Sequence, residues 1–381
     1  MKKVFYWSPC LTKVGTYKAT INSALSLSKY SGSDFSINII NSCGEWNSEK
    51  VFFEENKISL VNLSFNYFKY LPKNGYLRSR FSYIFISLMS FIPLIKLLLK
   101  EKPDYIIIHL LTAMPLLINK IYKLKTKFIL RISGYPKLNL IRRTFWKMSS
   151  AGLFKITCPS IDLKFQLENL KIFSKDKMIF LPDPILRLQK VKDTKNSYIS
   201  KKKYFISVGR LTYQKNFSYL INEFSKFAEI YSDYDLHIYG SGEEEEILNN
   251  LIVKNNMENR IFLKGYKSNI NFYMKNAQAF ILSSLWEDPG FVLVEAAMNN
   301  LFLISSDCKN GPSEILDNGN RGYLFKNNEK NALFNSLKKF LDLNINQAEQ
   351  KRIYLLKSKL YCKNYTLLNH FKILKSVLLS F

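Results

Sequence analysis

Two carboxylates with seven residues between them, Glu287 and Glu295, flank an Asp288-Pro289-Gly290 break in the chain. The apolar run Ala279 to Leu282 before them reads as a buried parallel strand, and Phe291 to Met298 after them reads as a helix without an early side-chain cap. Free backbone N–H groups at such a helix start suit a phosphate. Glu287 then lies before the helix and Glu295 about one turn inside it, so both can face one ligand. Two carboxylates beside an anion site point to sugar hydroxyls. A second cluster, Gly209-Arg210-Leu211-Thr212-Tyr213-Gln214-Lys215-Asn216, follows the strand-like run Tyr204 to Val208 and opens a helix at about Phe217. Arg210 offers a planar fork and Lys215 a point charge, a pair that can hold a diphosphate. A surface loop in a Lys-rich chain is the plainer alternative.

Other residues invite weaker chemistry. In Tyr239-Gly240-Ser241-Gly242 the glycines read as allowing close approach of a ligand. The Glu243 to Glu246 run that follows suits a helix start and would repel a pyrophosphate there, which counts against a dinucleotide-binding domain. Asp233-Tyr234-Asp235 has the form used by metal-dependent sugar transferases, yet it precedes a strand and reads as a solvated turn, so no metal is assigned. His109 follows Tyr105 to Ile108 at a strand's carboxyl end, where either a polar role at the site or a structural hydrogen bond fits. Arg131, at the end of the run Phe128 to Leu130, could contact donor or acceptor. His237 reads as packed within a strand. Gly15, in Lys13-Val14-Gly15-Thr16 before a helix expected at about Lys18, could let backbone approach donor phosphates.

These loops need a scaffold, and the hydrophobic pattern supplies one. Strand-like runs recur at Val4 to Trp7, Ile37 to Ile40, Tyr105 to Ile108, Phe128 to Leu130 and Ile156 to Cys158, with helix-like segments between them. A second series, Tyr204 to Val208, Leu236 to Tyr239, Ile261 to Leu263, Ala279 to Leu282 and Leu301 to Ser305, follows a polar connection at residues 186–203. Alternating strands and helices imply parallel sheets covered on both faces. The expectation is therefore an α/β chain of two Rossmann-like domains facing a cleft: 1–185 on the acceptor side, 186–364 binding a nucleotide-sugar, and a helix at 365–381 returning to the first. That last helix carries an apolar stripe at Leu367, Leu368, Phe371, Leu374, Val377 and Leu378, which must pack on something.

A chain of 381 residues exceeds one ordinary core, which agrees with two domains. Its 56 Lys and Arg against 30 Asp and Glu give +26, calling for an anionic partner or surface, or reflecting a Lys-biased genome. The excess is uneven: residues 1–185 carry 28 basic and 11 acidic side chains, and the remainder 28 and 19. Five scattered cysteines lack metal-ligand spacing, and the N-terminal run is too short and aromatic for a signal segment, so a cytoplasmic protein is expected. The uncharged stretch Phe81 to Ile95 reads as short for a membrane span, and as a docked or interfacial helix instead. Near it, Arg78 and Arg80, and Arg142-Arg143-Thr144-Phe145-Trp146-Lys147, interleave cations with aromatics. Together they predict peripheral attachment to an anionic membrane, on the inner face of the plasma membrane, and no nucleic acid.

In its second half the chain resembles the retaining glycosyltransferases of family 4, of GT-B architecture. The likeness rests on Gly209-Arg210-Leu211 with Gln214-Lys215-Asn216, Tyr239-Gly240-Ser241-Gly242, Phe262-Leu263-Lys264-Gly265-Tyr266, and Glu287 with Glu295. With Asn310-Gly311-Pro312-Ser313-Glu314 downstream, it is similar to bacterial enzymes that build lipopolysaccharide, capsule or other surface glycans. The resemblance implies that Arg210 and Lys215 neutralise the donor diphosphate, Glu295 binds the ribose, Glu287 holds the transferred sugar, and backbone at Gly290 to Val292 takes the phosphates. It also implies a UDP-sugar donor, base selection by backbone near Tyr266, a lipid-linked or oligosaccharide acceptor, and retention by front-face attack with no cofactor and no metal. Many relatives carry a His after the fifth strand; Arg131-Ile132-Ser133-Gly134 has none, which leaves His109 as the candidate catalytic histidine beside Glu287, Arg210 and Lys215. The other readings are a nucleotide-sugar epimerase or hydrolase of the same architecture, and a basic nucleic-acid or membrane-binding protein.

Overall fold

The computed structural model describes residues 1–13, 15–73, 76–136, 138–186 and 202–380. Most of the connection expected at 186–203 lies outside the described residues. The chain divides into two compact units, Met1–Arg187 with Asn364–Phe381, and Leu188–Lys363.

The first unit runs β1 (Lys2–Trp7), α1 (Gly15–Tyr30), β2 (Phe35–Asn41), α2 (Lys50–Glu55), β3 (Ser59–Asn62), α3 (Tyr76–Glu101), β4 (Tyr105–Ile108), α4 (Ala113–Tyr122), β5 (Lys127–Arg131), α5 (Leu140–Ser149), β6 (Leu153–Cys158), α6 (Ile161–Asn169) and β7 (Met178–Phe180). Its seven strands are parallel in the order β3-β2-β1-β4-β5-β6-β7. Because both faces are covered, the strands are apolar on successive residues and alternate residues feed different cores. Phe5, Trp7, Ile106 and Ile108 join a cluster with side chains of α3, α4 and α5, while Val4, Tyr6, Tyr105 and Ile107 join one with α1.

The second unit runs β8 (Lys203–Val208), α7 (Phe217–Ile230), β9 (Tyr234–Tyr239), α8 (Glu245–Lys254), β10 (Ile261–Leu263), α9 (Ile270–Met274), β11 (Ala279–Leu282), α10 (Phe291–Met298), β12 (Phe302–Ser306), α11 (Pro312–Leu316), β13 (Tyr323–Phe325), α12 (Ala332–Asn346) and α13 (Ala348–Tyr361). Its sheet is again parallel, ordered β10-β9-β8-β11-β12-β13. In α7 the residues Phe217, Leu220, Ile221, Phe224, Phe227 and Ala228 recur at helical spacing and all are buried in the core.

The chain ends with α14 (Leu367–Leu379), which lies against α1 in the first unit. Phe371, Leu374, Val377 and Leu378 enter the same cluster as Val4 and Tyr6. Leu368 departs from the expected stripe: it is exposed, and His370 is buried on the packed face.

Two expectations about local structure change. Helix α1 opens at Gly15, three residues before the position expected. Helix α3 has 26 residues, and Arg78–Glu101, whose most apolar 18-residue stretch has mean hydropathy 2.0, is long and apolar enough to cross a membrane, so it is not too short for a span. Packing argues against crossing. Ser82, Ile86, Ser90, Leu94 and Leu98 recur every fourth residue and are all buried, and Leu94 and Leu98 belong to the sheet-covering cluster with Phe5 and Ile106. Leaving the unit would strip that core.

Candidate functional site

In an open parallel sheet the loops diverge, and a crevice forms, where the strand order reverses. In the second unit that point lies between β8 and β11, which pair through Ile206 and Phe280. The loops leaving these two strands are the ones carrying Arg210 with Lys215 and Glu287. Backbone knits them together: Leu285 N donates to Gln214 O at 2.8 Å, and Ser283 Oγ donates to Lys215 O at 2.8 Å. Gln214 Nε2 donates to Trp286 O at 2.8 Å.

Across this seam Lys215 Nζ and Glu287 Oε1 form an ion pair at 2.5 Å, with side-chain exposures of 14% and 6%. Ser284 Oγ donates to the same Oε1, also at 2.5 Å. Glu287 Oε2 accepts from no described residue, so one oxygen anchors the carboxylate and the other retains its hydrogen-bonding capacity. Arg210 is exposed and makes no ion pair among the described residues. Gly209 gives Lys215 its path: a Cβ there would stand 3.1 Å from Lys215 Cδ and Cε. Nearby Cys308 is no nucleophile, because burial, reinforced by the Glu287 charge, pushes its thiol up to about 12.

Helix α10 follows directly. Gly290 is its N-cap in the left-handed region, at φ 86°, and as a glycine it offers no capping side chain of its own. Along α10 the positions Phe291, Val292 and Glu295 are half-buried whereas Leu293, Val294, Ala296 and Ala297 are buried. Glu295 therefore shares a face with the N-terminal turn, as the i, i+3 and i+4 spacing requires.

The sequence reading missed the residues that hold this loop in place. Glu287 N donates to Lys309 O at 3.1 Å, and Asn310 Nδ2 donates to Asp288 Oδ1 at 3.2 Å. At Gly311, φ is 121° and a Cβ would sit 1.9 Å from Pro289 O, so only glycine lets this segment lie against the loop. Ser284 is itself braced, its carbonyl accepting from Ser306 Oγ at 2.7 Å and from Asn327 Nδ2 at 3.1 Å. The paired serines directly after β11 were the available signal. Exposed Tyr213 and Trp286 flank the ion pair, with ring centroids 6.3 Å apart.

Some expected residues serve the scaffold instead. Gly240, read as admitting a ligand, faces its own chain: a Cβ would fall 1.8 Å from Gly209 O, and one on Gly242 would fall 2.2 Å from Leu211 O. These glycines let the β9 loop nest against the β8 loop. Asp235 is no solvated turn. It is buried in β9, where Arg260 Nε donates to its Oδ1 at 3.1 Å. His237 is packed as expected, stacked on Tyr204 with centroids 4.2 Å apart. Tyr266 is 75% exposed after Gly265, whose carbonyl accepts from Gly240 N at 3.1 Å.

In the first unit the strand order reverses between β1 and β4. His109, just after β4, is 5% exposed, and Thr20 Oγ1 lies 3.1 Å from its Nδ1. Burial first, then the charges of Arg131 and His370, hold its pKa well below the usual value, so the ring stays neutral. The structural hydrogen bond is thus the one it makes, although it also borders a pocket of about 810 Å³. Arg131, read as a residue that could contact donor or acceptor, is engaged by the fold on one side: Nε donates to Asp183 Oδ1 at 2.8 Å and Nη2 pairs with Oδ2, both residues being buried, while Nη1 has no partner among the described residues. Asp183 offered no signal in the sequence. Gly15 opens α1, and a Cβ there would have nothing within 4 Å.

The family described as "Glycosyl transferases group 1" matches residues 189–354. An uncharacterised glycosyltransferase of Methanocaldococcus jannaschii is 31% identical over 249 residues, 58% of this chain and 60% of that protein. The N-acetylgalactosamine-N,N'-diacetylbacillosaminyl-diphospho-undecaprenol 4-alpha-N-acetylgalactosaminyltransferase of Campylobacter jejuni is 26% identical over 226 residues, 57% of this chain and 61% of that protein. The match thus spans less than two thirds of the length of these curated relatives. Among solved structures, Anabaena HepE in complex with UDP and glucose aligns with a TM-score of 0.70 at 13% identity, covering 99% of each chain. At that identity the likeness is one of fold, and the fold is GT-B.

Proposed function

We propose that the chain is a glycosyltransferase that moves a sugar from a nucleotide-sugar donor, a UDP-sugar, to a lipid-linked or glycan acceptor inside the cell, in the synthesis of a surface polysaccharide. One observation carries the reading. Glu287 is anchored through Oε1 by Lys215 and Ser284 while Oε2 stays without a described donor, on the loop between β11 and the Gly290 N-cap of α10, with Arg210 exposed after the neighbouring strand β8. A carboxylate so placed can accept from sugar hydroxyls while the cations and helix start take the diphosphate. The family match over 189–354 supports it, as does the Campylobacter jejuni relative, whose name gives a diphospho-undecaprenol acceptor. The Anabaena structure holding UDP and glucose supports a UDP-sugar.

In this reading Arg210 and Lys215 stabilise charge that grows on the β-phosphate as the sugar C1–O bond breaks, and Glu295 takes the ribose hydroxyls. Fixed donors aimed at developing charge are the largest catalytic term such a site offers. The acceptor oxygen bonds C1 on the same face, and its proton passes to an oxygen of the leaving phosphate, so the anomeric configuration is retained. No protein nucleophile and no divalent metal is required. The test is acceptor-dependent release of nucleoside diphosphate from a panel of nucleotide sugars, with product anomers read by NMR and the assay repeated in EDTA. Lys215→Ala and Glu295→Ala should abolish release without unfolding the chain. Full turnover in both variants overturns the site, and free monosaccharide or an epimer formed without acceptor assigns the hydrolase or epimerase reading.

A further inference from the structure

Helices α3, α4 and α5 pack side by side over one face of the first sheet, all contributing to one core cluster. Among the described residues of the unit, none covers their outward sides. Eleven large apolar side chains on these three helices are exposed, among them Phe81, Ile84, Leu88 and Ile92 in a line along α3, and Leu140 and Ile141 at the start of α5. The α3 stripe from Phe81 to Ile92 alone runs over about 17 Å at 1.5 Å per residue. An apolar face this wide is uncommon on a soluble monomer.

The charge around it is one-sided. Between residues 56 and 161 the chain has 18 Lys and Arg and only two acids, Glu101 and Asp104. Lys96 and Lys100 on α3, and Arg143 and Lys147 on α5, are interleaved in sequence with these apolar side chains, and all four are exposed. Cations bordering aliphatic side chains match a surface that is anionic outside and hydrocarbon beneath. They do not match RNA, which would use the cations but has no place for Ile84, Leu88 and Ile92, since bases stack on aromatic rings.

We propose that the α3–α4–α5 face of the first unit is a docking surface for an anionic lipid bilayer, lying in the headgroup layer with α3 along the membrane plane. The buried side of α3 stays on the protein core while its exposed stripe enters the lipid, which explains a helix apolar all round that does not leave its unit. The 810 Å³ pocket opens on the rim of this face, sharing Arg80, Ile141 and Arg142 with it. A substrate held in the bilayer by its own lipid would thus present a phosphate-bearing head to that pocket. The docking itself is independent of the glycosyl-transfer reading, because it is measured without donor or turnover.

The test is co-sedimentation of the full chain at about 0.15 M salt with phosphatidylcholine vesicles and with vesicles one third phosphatidylglycerol. Binding is expected to the anionic vesicles only. Leu88→Gln with Ile92→Gln, on exposed positions that leave the core untouched, should lower partitioning roughly tenfold or more. Arg143→Gln with Lys147→Gln should lower it roughly thirtyfold, from about 1 kcal/mol per cation. Circular dichroism and the thermal shift given by UDP keep folding separate from docking. Failure of the native chain to bind anionic vesicles overturns the proposal. So does equal binding by the Leu88 and Ile92 variant, tight salt-dependent RNA binding without vesicle binding, or a dimer that this variant dissociates, which would make the face an interface between copies.

Discussion

Both sheets reverse their strand order at a point where two loops leave neighbouring strands, yet the two points are chemically unlike. After β1 and β4 the side chains Ser8, Thr20 and His109 are buried and neutral, and bond to one another. After β8 and β11 the side chains are a charged pair, Lys215 and Glu287, with Arg210 left exposed beside them. Topology fixes where loops converge; it does not make the place a site. What separates the two is the kind of group left with bonding capacity. At the first point it is the neutral His109 ring, through Nε2, and the Nη1 of an Arg131 already paired with Asp183, whereas at the second it is a carboxylate oxygen, Glu287 Oε2, and an Arg210 guanidinium with no ion pair among the described residues.

The sharpest way to break this contrast is Lys215→Met, which keeps the stem and removes the charge. Loss of one fixed cation from a site where charge develops should cut turnover by about 10³-fold, or about 4 kcal/mol. A loss below tenfold in steady-state release of nucleoside diphosphate would make the second reversal point as structural as the first. The matching change in the first unit is Arg131→Met. It leaves the buried Asp183 carboxylate unpaired, a loss of about 3–5 kcal/mol of stability. Urea unfolding followed through the first unit's buried tryptophans, Trp7, Trp46 and Trp146, reads that loss, while the affinity of the second unit for UDP should be unchanged.

A smaller effect distinguishes the units by pH. His370, on α14, is fully buried; its Nδ1 lies 2.8 Å from Pro182 O and its Nε2 2.9 Å from Ser23 Oγ. A carbonyl only accepts, so Nδ1 carries the proton and Nε2 accepts from Ser23. Burial lowers its pKa from 6.5 to about 4, outweighing the opposing hydrogen bond to Pro182 and the charge of Asp183. Between those values the unfolded chain takes up a proton that the folded chain refuses. The stability is therefore fully present above pH 6.5 and is lost as pH falls towards 4, by roughly 3 kcal/mol. His237 in the second unit is depressed likewise, to about 4, so the slope alone does not separate the units. His370→Gln does: it should reduce the pH dependence of first-unit unfolding, leaving the share that the buried His109 carries in the same direction, and leave that of the second unit as it was.

Much of this was legible in the order of the amino acids. The apolar run Ala279 to Leu282, the break at Gly290 and the helix Phe291 to Met298 appear where periodicity and turn chemistry put them, because both faces of the strand are buried and the helix has a full apolar side. The short strands β3, β7 and β13, all at sheet edges, escaped. At the site, charge and glycine were visible and partners were not. Gly240 looked like room for a ligand because a sequence cannot show that Gly209 O already fills the space. Arg131 looked free because Asp183 is 52 residues away along the chain. Gly311 was visible only as text, because its role depends on Pro289 folding back against it.

The finest test of the contrast uses one glycine from each unit. Gly209 has no left-handed φ, so alanine is allowed by the backbone, and the added methyl meets only the Lys215 stem, at 3.1 to 3.2 Å. The flexible stem can give by a few tenths of an ångström, which leaves stability within about 1 kcal/mol but moves Nζ relative to Glu287. A displacement of that size in a preorganised charge should lower turnover roughly tenfold, well short of the loss on removing the charge. Gly15→Ala, at the start of α1, meets open space, and its better helix propensity should raise the stability of the first unit by about 0.5–1 kcal/mol. If Gly209→Ala instead unfolds the second unit and leaves turnover per folded molecule unchanged, Lys215 is held by packing and not by the demands of a ligand. The charged pair would then belong with Arg131 and Asp183, as scaffold.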